Sequence, residues 1–161
     1  MNIYDLHEEF FKAISDDNYL AVKKMLNNKC IIPNYNNNFA IEIAIASSSS
    51  EIVKLLLKDK RVDPSCCSNY VIRKAAYRGL TEIVKILLKD KRVKPEDGNN
   101  LALSYAFDSE NYDIVELLLS DKRVLRTLNI KFLKCYNYVD KMLILLKLNS
   151  KEELENYLKI I

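Results

Sequence analysis

One stretch of this chain is written three times. Glu51-Ile52-Val53-Lys54-Leu55-Leu56-Leu57-Lys58-Asp59-Lys60-Arg61-Val62 returns as Glu82-Ile83-Val84-Lys85-Ile86-Leu87-Leu88-Lys89-Asp90-Lys91-Arg92-Val93, and again as Asp113-Ile114-Val115-Glu116-Leu117-Leu118-Leu119-Ser120-Asp121-Lys122-Arg123-Val124. Thirty-one residues separate each copy from the next. Self-similarity at a fixed period of this size means a stack of supersecondary units, each leaning on its neighbours. Pro33, Pro64 and Pro95 keep the same period, as do Asn38, Asn69 and Asn100, and Ala44, Ala75 and Ala106.

Each period holds two apolar segments at helical spacing. The first segments are 39–45, 70–76 and 101–107, and an Asn stands directly before each. That Asn is expected to accept an orphan backbone N–H and start the helix. The recurring Ala lets paired helices approach closely. A polar turn follows, and then a second helix opened by Glu51, Glu82 or Asp113, where an acid suits the helix dipole. Ser50 and Thr81 are the expected N-caps. The second helix should bury Ile52, Val53, Leu56, Leu57 and their equivalents one period on. Its basic end, Lys-Asp-Lys-Arg or Ser-Asp-Lys-Arg, is expected to compensate the helix's own C-terminal dipole. Pro64 and Pro95 forbid a helix through the linkers, which read as extended arms with a turn at the tip.

The ends depart from the pattern. Leu20 to Leu26 sit one period before the first copy, with Phe10, Phe11, Ala13 and Ile14 as an earlier apolar stripe. After Val124 no proline follows, and Ser150-Lys151-Glu152-Glu153 has the form of a capping box. The expected organisation is one all-α domain. Residues 1–30 form an N-terminal capping repeat, 31–61, 62–92 and 93–123 regular repeats, 124–148 a shortened last repeat, and 149–161 a C-terminal capping helix.

The run Ala75-Ala76-Tyr77-Arg78-Gly79-Leu80-Thr81-Glu82-Ile83-Val84-Lys85-Ile86-Leu87-Leu88 resembles the ankyrin repeat and its A-A-x-x-G-x-x-E-I-V-x-L-L-L signature. The resemblance spans about residues 5–148 and is closest over 38–124. The usual Thr-Pro-Leu-His is replaced by Phe39-Ala40-Ile41-Glu42 and its counterparts, and the period is short, so the arms or short hairpins between repeats are where geometry should differ. The Asn-x-x-Ile openings and the Lys-Asp-Lys-Arg-Val-Asp-Pro-Ser run are similar to ankyrin proteins of giant amoeba-infecting DNA viruses. The resemblance implies a solenoid that binds a protein partner, a host protein if the chain is viral, through a concave face of arm tips and first-helix edges. The corresponding positions are Tyr35, Asn36 and Asn38; Cys66, Cys67 and Asn69; Asp97, Gly98 and Asn100; and, on the helix edges, Ala46, Ser47, Tyr77, Arg78, Asp108 and Ser109. Tyr77 and Arg78 are the expected hot spot, since Tyr and Arg dominate binding energies. The protein is expected to be a monomer in the cytoplasm, the host cytoplasm if viral.

Composition narrows the alternatives. Lys+Arg 25 against Asp+Glu 22 leaves a net charge of +3, which favours neither nucleic acid nor membrane. Two glycines leave no phosphate-cradling loop. His7, the only histidine, lies beside Glu8 and reads as a solvated surface residue, without the nucleophile and orienting partner that catalysis needs. No enzyme activity and no cofactor are expected. Cys30, Cys66, Cys67 and Cys135 have neither disulfide nor zinc-ligand spacing and read as reduced thiols of an intracellular protein, with the adjacent pair at an arm tip. The alternative function is nucleic-acid or anion binding by a ladder of Lys58/Lys60/Arg61, Lys89/Lys91/Arg92 and Lys122/Arg123. Helix-end compensation and solubility explain the same clusters.

Overall fold

Helical periodicity in both halves of each unit produces paired helices. The computed structural model describes residues 3–128, 138, 142, 146 and 150–160. Along the chain lie α1 (Ile3–Ser15), α2 (Tyr19–Leu26), α3 (Tyr35–Ala46), α4 (Ser50–Lys58), α5 (Cys66–Tyr77), α6 (Thr81–Lys89), α7 (Asp97–Asp108), α8 (Tyr112–Leu119), α9 (Lys122–Thr127) and α10 (Lys151–Ile160). First helices α1, α3, α5 and α7 pack in one row, second helices α2, α4, α6 and α8 in another. Equivalent residues meet equivalent surroundings. Ile52, Ile83 and Ile114 are all buried, and so are the small side chains of Ala44, Ala75 and Ala106. Most of the expected shortened repeat, 124–148, lies outside the described residues. Ser50 and Thr81 fall on the first turn of their helices rather than capping them. Ser150 does cap, its Oγ accepting the N–H of Glu153 at 3.1 Å.

The arms are shorter than expected. No strand occurs among the described residues, so there is no hairpin there. Instead, α3, α5 and α7 each open with three successive left-handed residues: Asn36-Asn37-Asn38, Cys67-Ser68-Asn69 and Gly98-Asn99-Asn100. Right-handed helix begins only at Phe39, Tyr70 and Leu101. An ordinary L residue held left-handed costs about 1–2 kcal/mol. Asn and Gly tolerate it best, and they fill seven of these nine positions.

The third residue of each tip compensates. The side-chain oxygen of Asn38 accepts the N–H of Asp63 at 2.8 Å, and that of Asn69 accepts the N–H of Lys94 at 2.8 Å. Asn100 takes the hydroxyl of Thr127 at 3.1 Å. These asparagines therefore do not cap their own helices; they tie one arm to the next element along. His7 is the first rung of the same ladder. It lies one period before Asn38, and its Nε2 accepts the N–H of Ile32 at 3.1 Å while Nδ1 donates to the carbonyl of Ile3 at 2.7 Å. It is buried, not solvated, because leaving Ile32 without an acceptor in that setting would be costly.

A second ladder uses the recurring Asp-Lys-Arg. Asp59, Asp90 and Asp121 each hold an arginine two residues on, with Asp–Arg contacts of 2.6 Å. Each arginine then reaches back to two carbonyls of the previous unit. Arg61 donates to Ile31 and Leu26, Arg92 to Val62 and Leu57, Arg123 to Val93 and Leu88, all within 3.0 Å. Leu26, Leu57 and Leu88 lie in the last turns of α2, α4 and α6, where carbonyls lack intrahelical partners. The cations thus cap the preceding unit's helix, not their own. The first described unit carries Cys30 where the arginine would fall; Asn28 there still accepts the N–H of Cys30 at 2.9 Å.

The turns between paired helices also repeat. Asp17, Ser48, Gly79 and Glu110 all have positive φ, between 52° and 70°. Only one of the four is the glycine that such a φ favours.

Two stability predictions follow from this scaffold. Arg92→Ala strips one inter-unit cap and its charge-assisted bonds, and should lower the unfolding free energy by about 1–2 kcal/mol, the exposed part of the guanidinium moderating the loss. Glu110→Gly relieves a left-handed turn and should raise it by up to about 1 kcal/mol. Urea denaturation midpoints at constant slope check both.

Candidate docking surface

What the ladders use is bonded within the stack. Asn38, Asn69 and Asn100, expected on the docking strip, are buried. Asn69 also donates to Asp97, at 2.8 Å, so the carboxylate of Asp97 is already engaged. Arg78, half of the expected hot spot, donates through Nη1 to the carbonyls of Ile45 and Ala46 at 2.6 and 2.8 Å, and so closes the end of α3. Asn111 does the same for α5, donating to Ala76 and Tyr77. Asp108 accepts the hydroxyl of Tyr138 at 2.6 Å. Ser47 and Ser109 are half-buried in the turns, while Ala46, Asn36 and Gly98 are exposed. Tyr35 rests on His7, their ring centres 4.8 Å apart.

Tyr77 remains as expected, 58 % exposed at the end of α5. It meets Tyr105 of α7 edge-on, with ring centres 6.2 Å apart. Around the pair, Tyr70, Arg73 and Lys74 complete a cleft of about 290 Å³ along the row of first helices. Arg73 lies over the Tyr70 ring, 5.6 Å from its centre, and donates to the carbonyls of Cys67 and Ser68 at the adjoining arm tip. Earlier in the row, Phe11 and Phe39 pack edge-to-face at 5.2 Å. Between the two aromatic clusters stands Glu42, whose carboxyl is pushed up by burial against the pull of Lys74. Tyr presents large rigid area at small entropic cost, and aromatic–cation pairs add attraction.

Tyr70, Arg73, Lys74 and Tyr105 do not figure in the sequence expectation. The signal was present, because these positions break the repeat. Glu42, Arg73 and Ser104 are equivalents, and so are Ile43, Lys74 and Tyr105. A scaffold position repeats its residue; these do not.

The basic ladder changes character. Its arginines are engaged by the aspartates and carbonyls named above, leaving Lys58, Lys60, Lys89, Lys91 and Lys122 exposed. A larger groove, about 450 Å³, runs over the second helices between α4 and α6. Lys54 bridges it, with Glu51 at 2.7 Å and Glu82 at 3.8 Å. Its polar walls pair with each other, so it offers a ligand less than the smaller aromatic cleft. No described helix is long and apolar enough to cross a membrane, and among the described residues no three of His, Cys, Asp and Glu converge as metal ligands would.

Two stacked rows of helices with tied arms along one side define a helical repeat solenoid. The family model described as ankyrin repeats (3 copies) matches residues 61–127, and with the helical architecture this makes the fold an all-α ankyrin-repeat fold. Neither the curated proteins nor the solved structures contain a significant match to the chain. Ankyrin repeats are in general protein–protein interaction modules and non-catalytic scaffolds.

The Asp–Arg pairs give the fold an acid sensitivity. Hydrogen bonds from Arg61, Arg92 and Arg123 hold the carboxyls of Asp59, Asp90 and Asp121 below the usual carboxylate range. A depressed folded-state pKa means the stabilisation is complete above the unfolded value, about 4, and is lost as pH falls through the folded value. Stability should therefore be flat near neutrality and decline below about pH 4. The triple variant Asp59→Asn/Asp90→Asn/Asp121→Asn should be less stable at pH 7 and show a shallower acid limb in denaturation series from pH 7 to 2.

Proposed function

We propose that this chain holds a protein partner, without catalysis, on the concave side of the solenoid, and that Tyr77 and Tyr105 are the centre of the contact. The observation that carries this reading is the exposed Tyr77 packed edge-on against the half-buried Tyr105, set in a cleft whose lining departs from the repeat while the surrounding scaffold keeps it. Arg73 and Lys74 give the cleft a positive rim. A cytoplasmic location and a host-derived partner belong to the same proposal; both rest on the resemblance of the sequence to viral ankyrin proteins and on its thiol chemistry. The rival, phosphate binding by the remaining lysines, is less favoured because the arginines best suited to phosphate already cap helices.

Arg78 stays unchanged in the test, because its loss would uncap α3. Tyr77→Ala/Tyr105→Ala should abolish capture of the wild-type partner from cell lysate, each hot-spot tyrosine contributing on the order of 2 kcal/mol. Lys60→Ala/Lys91→Ala should leave capture unchanged, and the melting temperature of both variants should stay within a few degrees of wild type. Capture that survives the tyrosine changes, or that is lost with the lysines and falls steeply with salt, overturns the reading.

A further inference from the structure

The arm tip beside this cleft carries two thiols at contact distance. Cys66 and Cys67 are both free, and their sulfurs lie 3.2 Å apart. Neighbouring side chains point to opposite faces of a strand and diverge around a helix. Here the backbone changes hand at Cys67, where φ is 54° and ψ 46°, and the two sulfurs come together. Cys67 is exposed.

The same tip is wired to the docking cleft. Arg73 donates through Nη2 to the carbonyl of Cys67 at 2.8 Å and through Nε to that of Ser68 at 3.1 Å. Its guanidinium also covers Tyr70. The position of this cation is therefore set by the two peptides that follow the cysteines.

We propose that Cys66 and Cys67 form a modification site, an adjacent dithiol that peroxides oxidise to an intramolecular disulfide, and that ring closure releases Arg73 from the arm tip. The coupling to binding rests on the docking reading above; the thiol chemistry stands without it. In the first step one thiolate attacks hydrogen peroxide, the O–O bond breaks, and a sulfenic acid and hydroxide form. In the second the neighbouring thiol attacks the sulfenic sulfur, an S–S bond forms, and water leaves. Overall two thiols and one peroxide give one disulfide and two waters. The two sulfurs lose two electrons and the peroxide gains them. Cα atoms joined by one trans peptide stand about 3.8 Å apart, closer than the roughly 4.4–6.8 Å that disulfides prefer. The ring must therefore distort the Cys66–Cys67 peptide, one Cα away from the carbonyl that Arg73 holds, and a strained bond is readily reduced. The hydrogen bond shared with Cys66 pushes the Cys67 thiol above its ordinary value. Because the thiolate is the nucleophile, closure should accelerate as pH rises into the alkaline range.

The test uses the full chain carrying Cys30→Ser and Cys135→Ser, with the wild-type chain mapped peptide by peptide as the check on folding. Dilute hydrogen peroxide should remove two hydrogens from the intact mass without dimer formation, and dithiothreitol should restore them. Phenylarsine oxide should bridge the same pair, adding one phenylarsenic group with loss of one water. Amide exchange over residues 66–77 should rise on oxidation, and the further change Cys66→Ser should abolish all three responses. Oxygen addition at a single sulfur, or a disulfide-linked dimer as the main product, would overturn the site. A ring that forms with exchange unchanged would overturn the release of Arg73. Failure of the Tyr77/Tyr105 variant to lose partner would strike the docking reading alone.

Discussion

The recurring Asp–Arg pair is the constraint on which the stack depends. Helix ends expose carbonyls that need donors, and a short repeat has little chain to spare for capping them. The arginine meets this need from outside its own unit. The aspartate two residues earlier fixes the planar guanidinium, and the fork then reaches a helix end and an arm of the unit before it. Lysine, a single compact charge on a flexible stem, could not make both contacts in a fixed plane. Each pair alone is partly exposed and modest in energy, and it is repetition over three joints that makes it a framework.

That framework determines what is left for recognition. Side chains bonded across a joint must recur, or the joint fails. Those on the open edge of the first helices are under no such rule. Ile43, Lys74 and Tyr105 occupy one position in three successive units and have nothing chemical in common. The aromatic cleft sits where this freedom is greatest, beside arm tips whose backbone is held by Asn38 and Asn69. A rigid base under a variable edge is what a binding surface requires, because little ordering is left to be done when a partner arrives.

Much of this was legible in the sequence, and the failures share one cause. The period, helix pairs, small alanines and buried Ile-Val-x-x-Leu stripe are local patterns, and local spacing reveals them. Local spacing does not show what His7, Asn69, Arg92 and Arg78 bond to, because their partners lie 25 to 35 residues away. Local rules assigned the asparagine and arginine to the nearest helix end, whereas the fold assigns them to a neighbouring unit. A residue's own period held the hint. Asp-Lys-Arg is invariant in three copies while the residue before it changes from Lys58 and Lys89 to Ser120, which marks the triplet as scaffold. His7 likewise lies one period ahead of Asn38 and shares its duty. The arm tips could not be read at all, since three left-handed residues in succession leave no periodic trace.

The three joints closed by Asp–Arg pairs are written in the same offsets: an arginine reaches 30 and 35 residues back, and His7, Asn38 or Asn69 takes a backbone N–H 25 residues forward. The bonding code is thus relative, not absolute. Excision or duplication of one whole 31-residue segment would set Arg123 opposite the same kind of carbonyls it now meets, with no junction to be reinvented. A gene of this form can lengthen or shorten by slippage and still encode a closed structure, so the number of modules is free to drift while the grammar between them is not.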